Sequence, residues 1–184
     1  MIGKKLENTS KKFQEKELKH QFFNNKMKNV WKFTNQRELT RKEFLRYFEK
    51  KVLRTVRQQG GLSKDYSILG NDLRSEIIKR ILRPIQVSKK NKIILNNKNL
   101  DDFSIEILEQ LMSSKFGIEK SKNIQPLYFL TDKEILLYAK IKNIDGKIQR
   151  KLTKKQVSIN HLIESFEKTN QDTRLAIISS LEKI

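Results

Sequence analysis

A large surplus of positive charge constrains what this chain can fold into. Its 184 residues include 40 Lys and Arg against 21 Asp and Glu, which gives a formal net charge of +19. Charge of this size opposes compaction through self-repulsion and attracts polyanions over long distances. Nucleic acids are the partners that such a charge favours most, because phosphates neutralised by Lys and Arg release counterions. We therefore expect a protein that contacts nucleic acid.

The residue types that are missing exclude several kinds of site. The sequence has no Cys, so disulfides, Cys-ligated zinc, iron–sulfur clusters and thiol chemistry are excluded. The two histidines, His20 and His161, are far apart in the sequence and predict no metal site. No G-x-G-x-x-G or Walker loop for phosphate occurs. From the residues alone we expect no cofactor, no metal and no catalytic group.

The distribution of apolar residues predicts a soluble chain. No segment approaches the ~20 consecutive apolar residues that a membrane span requires. The N-terminus also lacks the apolar stretch of a secretory signal. We expect a cytoplasmic protein without membrane contact.

Short capped segments with apolar residues at helical spacing predict a helix-rich fold. The most regular covers residues 40–58, where Thr40 and Glu43 form a capping-box pattern and Gly60 and Gly61 end the helix. Its apolar stripe recurs every four residues and consists of Phe44, Phe48, Val52 and Val56. Further helices are predicted at 4–28, 72–83, 101–114, from 131 to about 141, at 158–168 and at 172–183. Short strands are predicted at 92–95 and 124–129, and a short strand or turn within 29–39.

Charge and pattern together divide the chain into three regions. Residues 1–60 form a basic helical N-terminal region, with 17 basic and 6 acidic residues. Residues 61–157 form a reduced α/β domain that ends in a basic linker at 142–157. Residues 158–184 form a C-terminal helical pair.

Basic residues on the 40–58 helix and in the linker are the candidate RNA contacts. For the helix, a solvated charged face is an equally good interpretation. The candidates are Arg41, Arg46, Lys50, Arg54, Arg57, Arg150, Lys151 and Lys154.

One acidic pair is the other candidate site. Asp101 and Asp102 could hold Mg²⁺ or act in acid–base chemistry, but adjacent helical residues do not share a face. A role at the positive end of the helix dipole is therefore favoured.

Four segments stand in an informative order: residues 38–58 (ELTRKEFLRYFEKKVLRTVRQ), 97–102 (NKNLDD), 123–144 and 158–184. Together they resemble segments of the TtuA-type and eukaryotic cytoplasmic tRNA 2-thiolation proteins. Residues 38–58 resemble the N-terminal helix of these proteins, and residues 97–102 resemble their Gly-His-Asn-Leu-Asp-Asp motif. Residues 123–144 resemble their Arg-Ile-Lys-Pro-Leu segment. Residues 158–184 resemble the tail of the non-catalytic eukaryotic partner subunit.

The resemblance implies an adenine nucleotide α-hydrolase-like fold, here an α/β, helix-rich fold with a reduced parallel sheet. Family members adenylate uridine 34 of certain tRNAs and replace its 2-oxygen with sulfur. Their nucleotide loop reads Ser-Gly-Gly-x-Asp-Ser, and its nearest counterpart, GNDLRS at 70–75, lacks the glycine pair. A backbone cradle for pyrophosphate needs those glycines for close approach. Lys98 replaces the motif histidine, and 76–92 is too short for the family's βα units.

A matching remnant of the second motif remains in Asn99, Asp101 and Asp102. The resemblance therefore implies a pseudo-enzyme, a non-catalytic subunit in 2-thiolation of the wobble uridine 34 of cytoplasmic tRNA. Such a subunit would bind tRNA and a catalytic 2-thiolation subunit in a hetero-oligomer. The alternative is a small basic structural RNA-binding protein, ribosome-associated or acting in assembly, with no link to thiolation. An active enzyme with an unusual site is a third and weaker interpretation.

Overall fold

The computed structural model describes residues 29–61, 66–82, 93–113 and 123–181. The helix predicted at 4–28 lies outside the described residues. The chain divides into two compact units, Met1–Arg46 and Tyr47–Ile184. The described elements, in chain order, are β1 (Asn29–Lys32), β2 (Glu38–Thr40), α1 (Arg41–Gln58), β3 (Tyr66–Ile68), α2 (Leu73–Leu82), β4 (Ile93–Leu95), α3 (Leu100–Met112), α4 (Asp132–Lys142), α5 (Lys154–Glu167) and α6 (Thr173–Leu181).

A two-stranded antiparallel sheet in the first unit leads into α1, of which only Arg41–Arg46 belong to that unit. β1 pairs with β2, and Trp31 on β1 packs on Phe44 with ring centroids 5.6 Å apart. The predicted capping box begins the helix, since the Thr40 backbone N–H donates to Glu43 at 2.9 Å. The helix ends where predicted, because Gly60 and Gly61 take positive φ angles of 107° and 73° that glycine adopts without strain.

A small parallel sheet organises the second unit. β3 pairs in parallel with β4, and isolated parallel bridges join Leu95 to Ile124 and Asn99 to Leu127. The helices α2, α3 and α4 follow these three extended segments. The predicted helix-rich α/β class with a small sheet is confirmed, whereas the strand predicted at 124–129 is reduced to the two bridges.

The C-terminal helices complete a core on α3. Ile159 and Ile163 of α5 pack with Ile105, and Ile178 of α6 packs with Leu100 and Ile107. The helix α5 begins at Lys154, earlier than predicted, because a capping box between Thr153 and Gln156 fixes its first turn. The helical part of the expected linker is therefore residues 154–157. No helix in the described ranges is long and apolar enough to cross a bilayer.

Candidate functional site

The N-termini of α2, α3 and α4 meet beyond the carboxyl ends of the parallel segments, each with an Asp in its cap or first turn. Asn97 Nδ2 donates to Asp72 at 2.8 Å, which joins the first two helix ends. Asn99 Nδ2 donates to Asp132 at 2.7 Å, which joins the second and third. In parallel α/β folds this edge of the sheet is where ligands bind. It is therefore the candidate functional site.

The segment GNDLRS forms the loop between β3 and α2. Asp72 caps the helix, since its Oδ1 accepts a hydrogen bond from the Ser75 N–H at 3.1 Å. Burial opposes ionisation of Asp72, but bonds from Arg74 and Ser75 prevail and hold its pKa below the ordinary value. Gly70 has φ 91°, and a Cβ there would lie 2.6 Å from Asn97 Nδ2. Gly70 therefore lies close against the Asn97 side chain, where a larger residue would collide.

Asp102 is the centre of the buried charges. It closes a capping box on α3 with Asn99, whose backbone N–H donates to Asp102 Oδ2 at 3.0 Å. The same carboxylate accepts hydrogen bonds from Arg74 Nη1 and from Arg150 Nε. One buried carboxylate thus binds two guanidinium groups.

Arg150 connects two helix ends with one planar side chain. Besides Asp102, it donates from Nη1 to Asp132 at 2.8 Å and from Nη2 to Asn99 Oδ1 at 3.1 Å. Burial acts to lower the pKa of Arg150, but the carboxylates of Asp102 and Asp132 outweigh it and raise the pKa above its ordinary value. The guanidinium is therefore fully engaged within the protein, while its predicted contact with RNA stays a prediction.

Asp101 connects the same site to the C-terminal helices. Its Oδ2 accepts the Asp132 N–H at 2.8 Å, and its Oδ1 lies 3.2 Å from Arg174 Nε. Arg174 also bonds Glu167 at 3.0 Å and Ser104 at 3.1 Å. Burial, followed by the nearby Asp132 carboxylate, raises the pKa of Asp101 to about 6.

Residues 144–153, which we call the strap, cover the N-terminus of α2. The Leu73 N–H donates to the Lys147 carbonyl at 3.3 Å, and Arg74 Nη2 donates to the Gln149 carbonyl at 2.9 Å. These residues lie within the predicted linker at 142–157. In the structure they pack on the site, because their backbone carbonyls accept hydrogen bonds from donors at the start of α2.

The charged groups of this site are paired with one another. The carboxylates neutralise the positive helix ends, and the arginines neutralise the carboxylates. Within the described ranges, no group of three or more His, Cys, Asp or Glu could hold a metal ion. The Mg²⁺ interpretation of Asp101 and Asp102 accordingly gains no structural support.

The predicted site residues fall into two groups. Asn99, Asp101 and Asp102 are buried and lie together with the half-buried Arg150 in one network. Exposed positions are taken by Arg41, Arg46, Lys50, Arg54, Arg57, Lys151 and Lys154, and their contact with RNA is untested. Arg74, Asp132 and Arg174 were not predicted as site residues, because no local pattern predicts which distant carboxylate an arginine will pair with. Only Asp132 had a signal, as an acidic residue directly after the predicted cap Thr131.

Known proteins similar to this chain bear on its fold. No family model matches the sequence, and no curated protein matches it. Among solved structures, the similarity is one of fold. The chain is similar to the U34-tRNA thiolase NcsA from Methanococcus maripaludis, solved with its [4Fe-4S] cluster. The TM-score is 0.62, the match covers 84% of this chain and 83% of that chain, and the identity is 11%.

Proposed function

We propose that this chain is a non-catalytic subunit in the 2-thiolation of uridine 34 in tRNA, and that it binds tRNA and a catalytic partner. Its fold is similar to that of a U34-tRNA thiolase, and its net charge of +19 favours an RNA partner. The reduced sheet would be a remnant of the adenine nucleotide α-hydrolase type.

The filled ligand edge is the observation that carries the non-catalytic role. Arg74 and Arg150 both bond Asp102, and the strap carbonyls accept donors at the start of α2. Placed against Ser-Gly-Gly-x-Asp-Ser, GNDLRS has Arg74 where that motif has its Asp. A nucleotide would have to displace the strap and break buried ion pairs, each of which costs several kcal/mol to disrupt.

The iron–sulfur cluster of the similar structure does not fit this chain. Such clusters are held by Cys thiolates, and the sequence contains no Cys. The catalytic chemistry would therefore belong to a partner, and no step here involves a cluster.

The first prediction concerns adenine nucleotide. Because the helix end of α2 is capped by Asp72 and covered by the strap, we expect no saturable ATP binding in the micromolar range. Isothermal titration of the full chain with ATP and Mg²⁺ measures this directly. A saturable signal with a dissociation constant near ~10 µM, typical of enzyme substrates, would contradict the non-catalytic role.

The second prediction concerns tRNA. If the exposed face of α1 neutralises phosphates, the triple variant Lys50→Gln, Arg54→Gln, Arg57→Gln should flatten the log–log salt dependence of tRNA affinity by about two to three, roughly one per lost contact. Filter binding over a salt series measures the slope. The matched control, Lys79→Gln, Lys140→Gln, Lys168→Gln, removes the same charge from other exposed positions and should alter the slope much less. Equal effects would show that only net charge matters.

A further inference from the structure

The strap alternates between inward and outward side chains. Ile148, Arg150 and Leu152 are half-buried, whereas Lys147 and Lys151 are exposed. This period of two is that of extended chain. The two lysines are therefore about 13 Å apart on one outer face, at roughly 3.3 Å per residue.

The inward side of the strap is fixed at several points. Leu152 packs against the cluster formed by Ile105, Ile159 and Ile163. The Gln149 N–H donates to Asp72 Oδ2 at 3.4 Å, and Arg150 bonds Asp102 and Asp132. These anchors come from α2, α3, α4 and α5. They hold the backbone from which Lys147 and Lys151 project.

We infer that the strap is a preorganised phosphate-binding element, in which Lys147 and Lys151 contact RNA phosphates and Arg150 is their positioning residue. This inference rests on the proposed function, because it takes tRNA as the ligand. Lysines on a fixed backbone lose less freedom when they bind than lysines on a mobile loop, and preorganisation of this kind raises affinity. Arg150 acts from beneath through its planar fork, which matches carboxylate geometry as a lysine cannot.

Three variants separate contact from positioning in tRNA binding. Lys147→Gln with Lys151→Gln should flatten the salt slope by about 1.4 to 1.8, or 0.7–0.9 per phosphate. Arg150→Lys keeps the positive charge but loses the planar fork that bonds Asp102, Asp132 and Asn99. It should weaken binding about three- to tenfold with the slope unchanged.

Asp132→Asn gives the clearest test, because the two explanations predict opposite changes in tRNA affinity. It removes a negative charge, so electrostatics alone predicts tighter tRNA binding. Loss of an Arg150 anchor predicts weaker binding, by about threefold, with faster hydrogen exchange in residues 144–153. Arg150 keeps its bond to Asp102 in this variant, and a thermal melt checks that the fold persists.

The outcomes distinguish the two proposals. If wild-type protein shows no salt-dependent tRNA binding, the proposed function and this inference both fail. If the α1 triple variant weakens binding but Lys147→Gln with Lys151→Gln does not, the strap assignment alone is overturned. Unchanged or tighter binding by Asp132→Asn, or wild-type affinity of Arg150→Lys, overturns the positioning role of Arg150.

Discussion

Asp102 joins three segments that are distant in the sequence: its own helix, the start of α2 through Arg74, and the strap through Arg150. Removing one partner of a buried ion pair typically costs about 3–5 kcal/mol, because the other charge is left uncompensated. Asp102 differs from a simple pair because it has two arginine partners. Loss of either guanidinium leaves Asp102 paired, whereas loss of Asp102 leaves two buried cations short of a partner.

The third prediction concerns Asp101, whose pKa of about 6 lies above its ordinary value. A raised folded-state pKa means that the folded protein holds the proton more tightly, so the stabilisation is present at low pH and is lost as pH rises through about 6. Relative to Asp101→Asn, the wild-type free energy of unfolding should increase by about 1 kcal/mol between pH 7 and pH 5.

Urea unfolding at the two pH values measures this difference, and the comparison with the variant cancels pH effects that the two proteins share. The control is Asp145→Asn, which changes an exposed carboxyl. The difference in free energy of unfolding between wild type and this control should be the same at pH 7 and pH 5. A wild-type advantage that is flat or shrinks toward pH 5 contradicts the assignment.

Local signals predicted these residues unevenly. The capping boxes of α1 and α4 were evident because Thr and Glu stand three residues apart, and both are confirmed. For Asp102, the position in the first turn of a helix was predictable from the local sequence. Its bonds to Arg74 and Arg150 were not, because they span 28 and 48 residues. Such pairings depend on how the chain returns to the sheet edge, which no sequence spacing encodes.

Among the elements, the C-terminal helices combine a core role with an exposed apolar side. Ile163 and Ile178 are almost fully buried, while Leu162 and Phe166 are 45% and 55% exposed. A groove of about 370 Å³ runs beside Phe166 and is lined further by Thr173, Ala176, Ile177 and their neighbours. Deleting residues 158–184 would therefore remove core residues together with any docking surface and could not separate the two roles.

The fourth prediction tests the exposed apolar side of the C-terminal helices without changing their buried core residues. If α5 and α6 dock on the catalytic subunit of the proposed function, Leu162→Ser with Phe166→Ser should abolish co-purification of a thiolation subunit that carries an intact Ser-Gly-Gly-x-Asp-Ser loop. Folding should persist because both side chains are about half exposed and surface changes usually cost under about 0.5 kcal/mol.

The test is affinity purification from native cells, with recovery of that subunit quantified against wild type. Leu136→Ser, at a 49% exposed position of α4, is the control and should retain the partner. Full recovery with the double variant would contradict docking through these helices. If wild-type protein recovers ribosomal particles and no such subunit, the structural RNA-binding alternative is favoured instead.

At the scale of the whole molecule, two electrostatic effects oppose each other. The buried ion pairs are attractive and little screened by salt, whereas the net charge of +19 causes self-repulsion that salt screens. The extended strap and the C-terminal helices add contacts to α3 that the small parallel sheet alone would not supply. The helix-rich character was predictable from periodicity, and the α/β class followed from the family resemblance. The way these late segments complete the core was not predictable, because it depends on long-range packing.

The fifth prediction follows from that opposition. Raising NaCl from about 20 to 300 mM shortens the Debye length from roughly 20 Å to under 8 Å, which weakens surface repulsion more than the buried pairs. The melting temperature of the free protein should therefore rise by several degrees, at about 2–4 °C per kcal/mol for a chain of this size. Scanning calorimetry over a salt series gives the melting temperature.

A triple variant tests the cause of this rise: Lys79→Glu, Lys140→Glu, Lys168→Glu. It lowers the net charge by six at exposed positions, so it should melt at a higher temperature in low salt and its melting temperature should respond less to salt. Lys→Arg at the same three positions keeps the charge and should preserve the wild-type salt response. A melting temperature that falls as salt is added would mean that attractive ion pairs outweigh the repulsion.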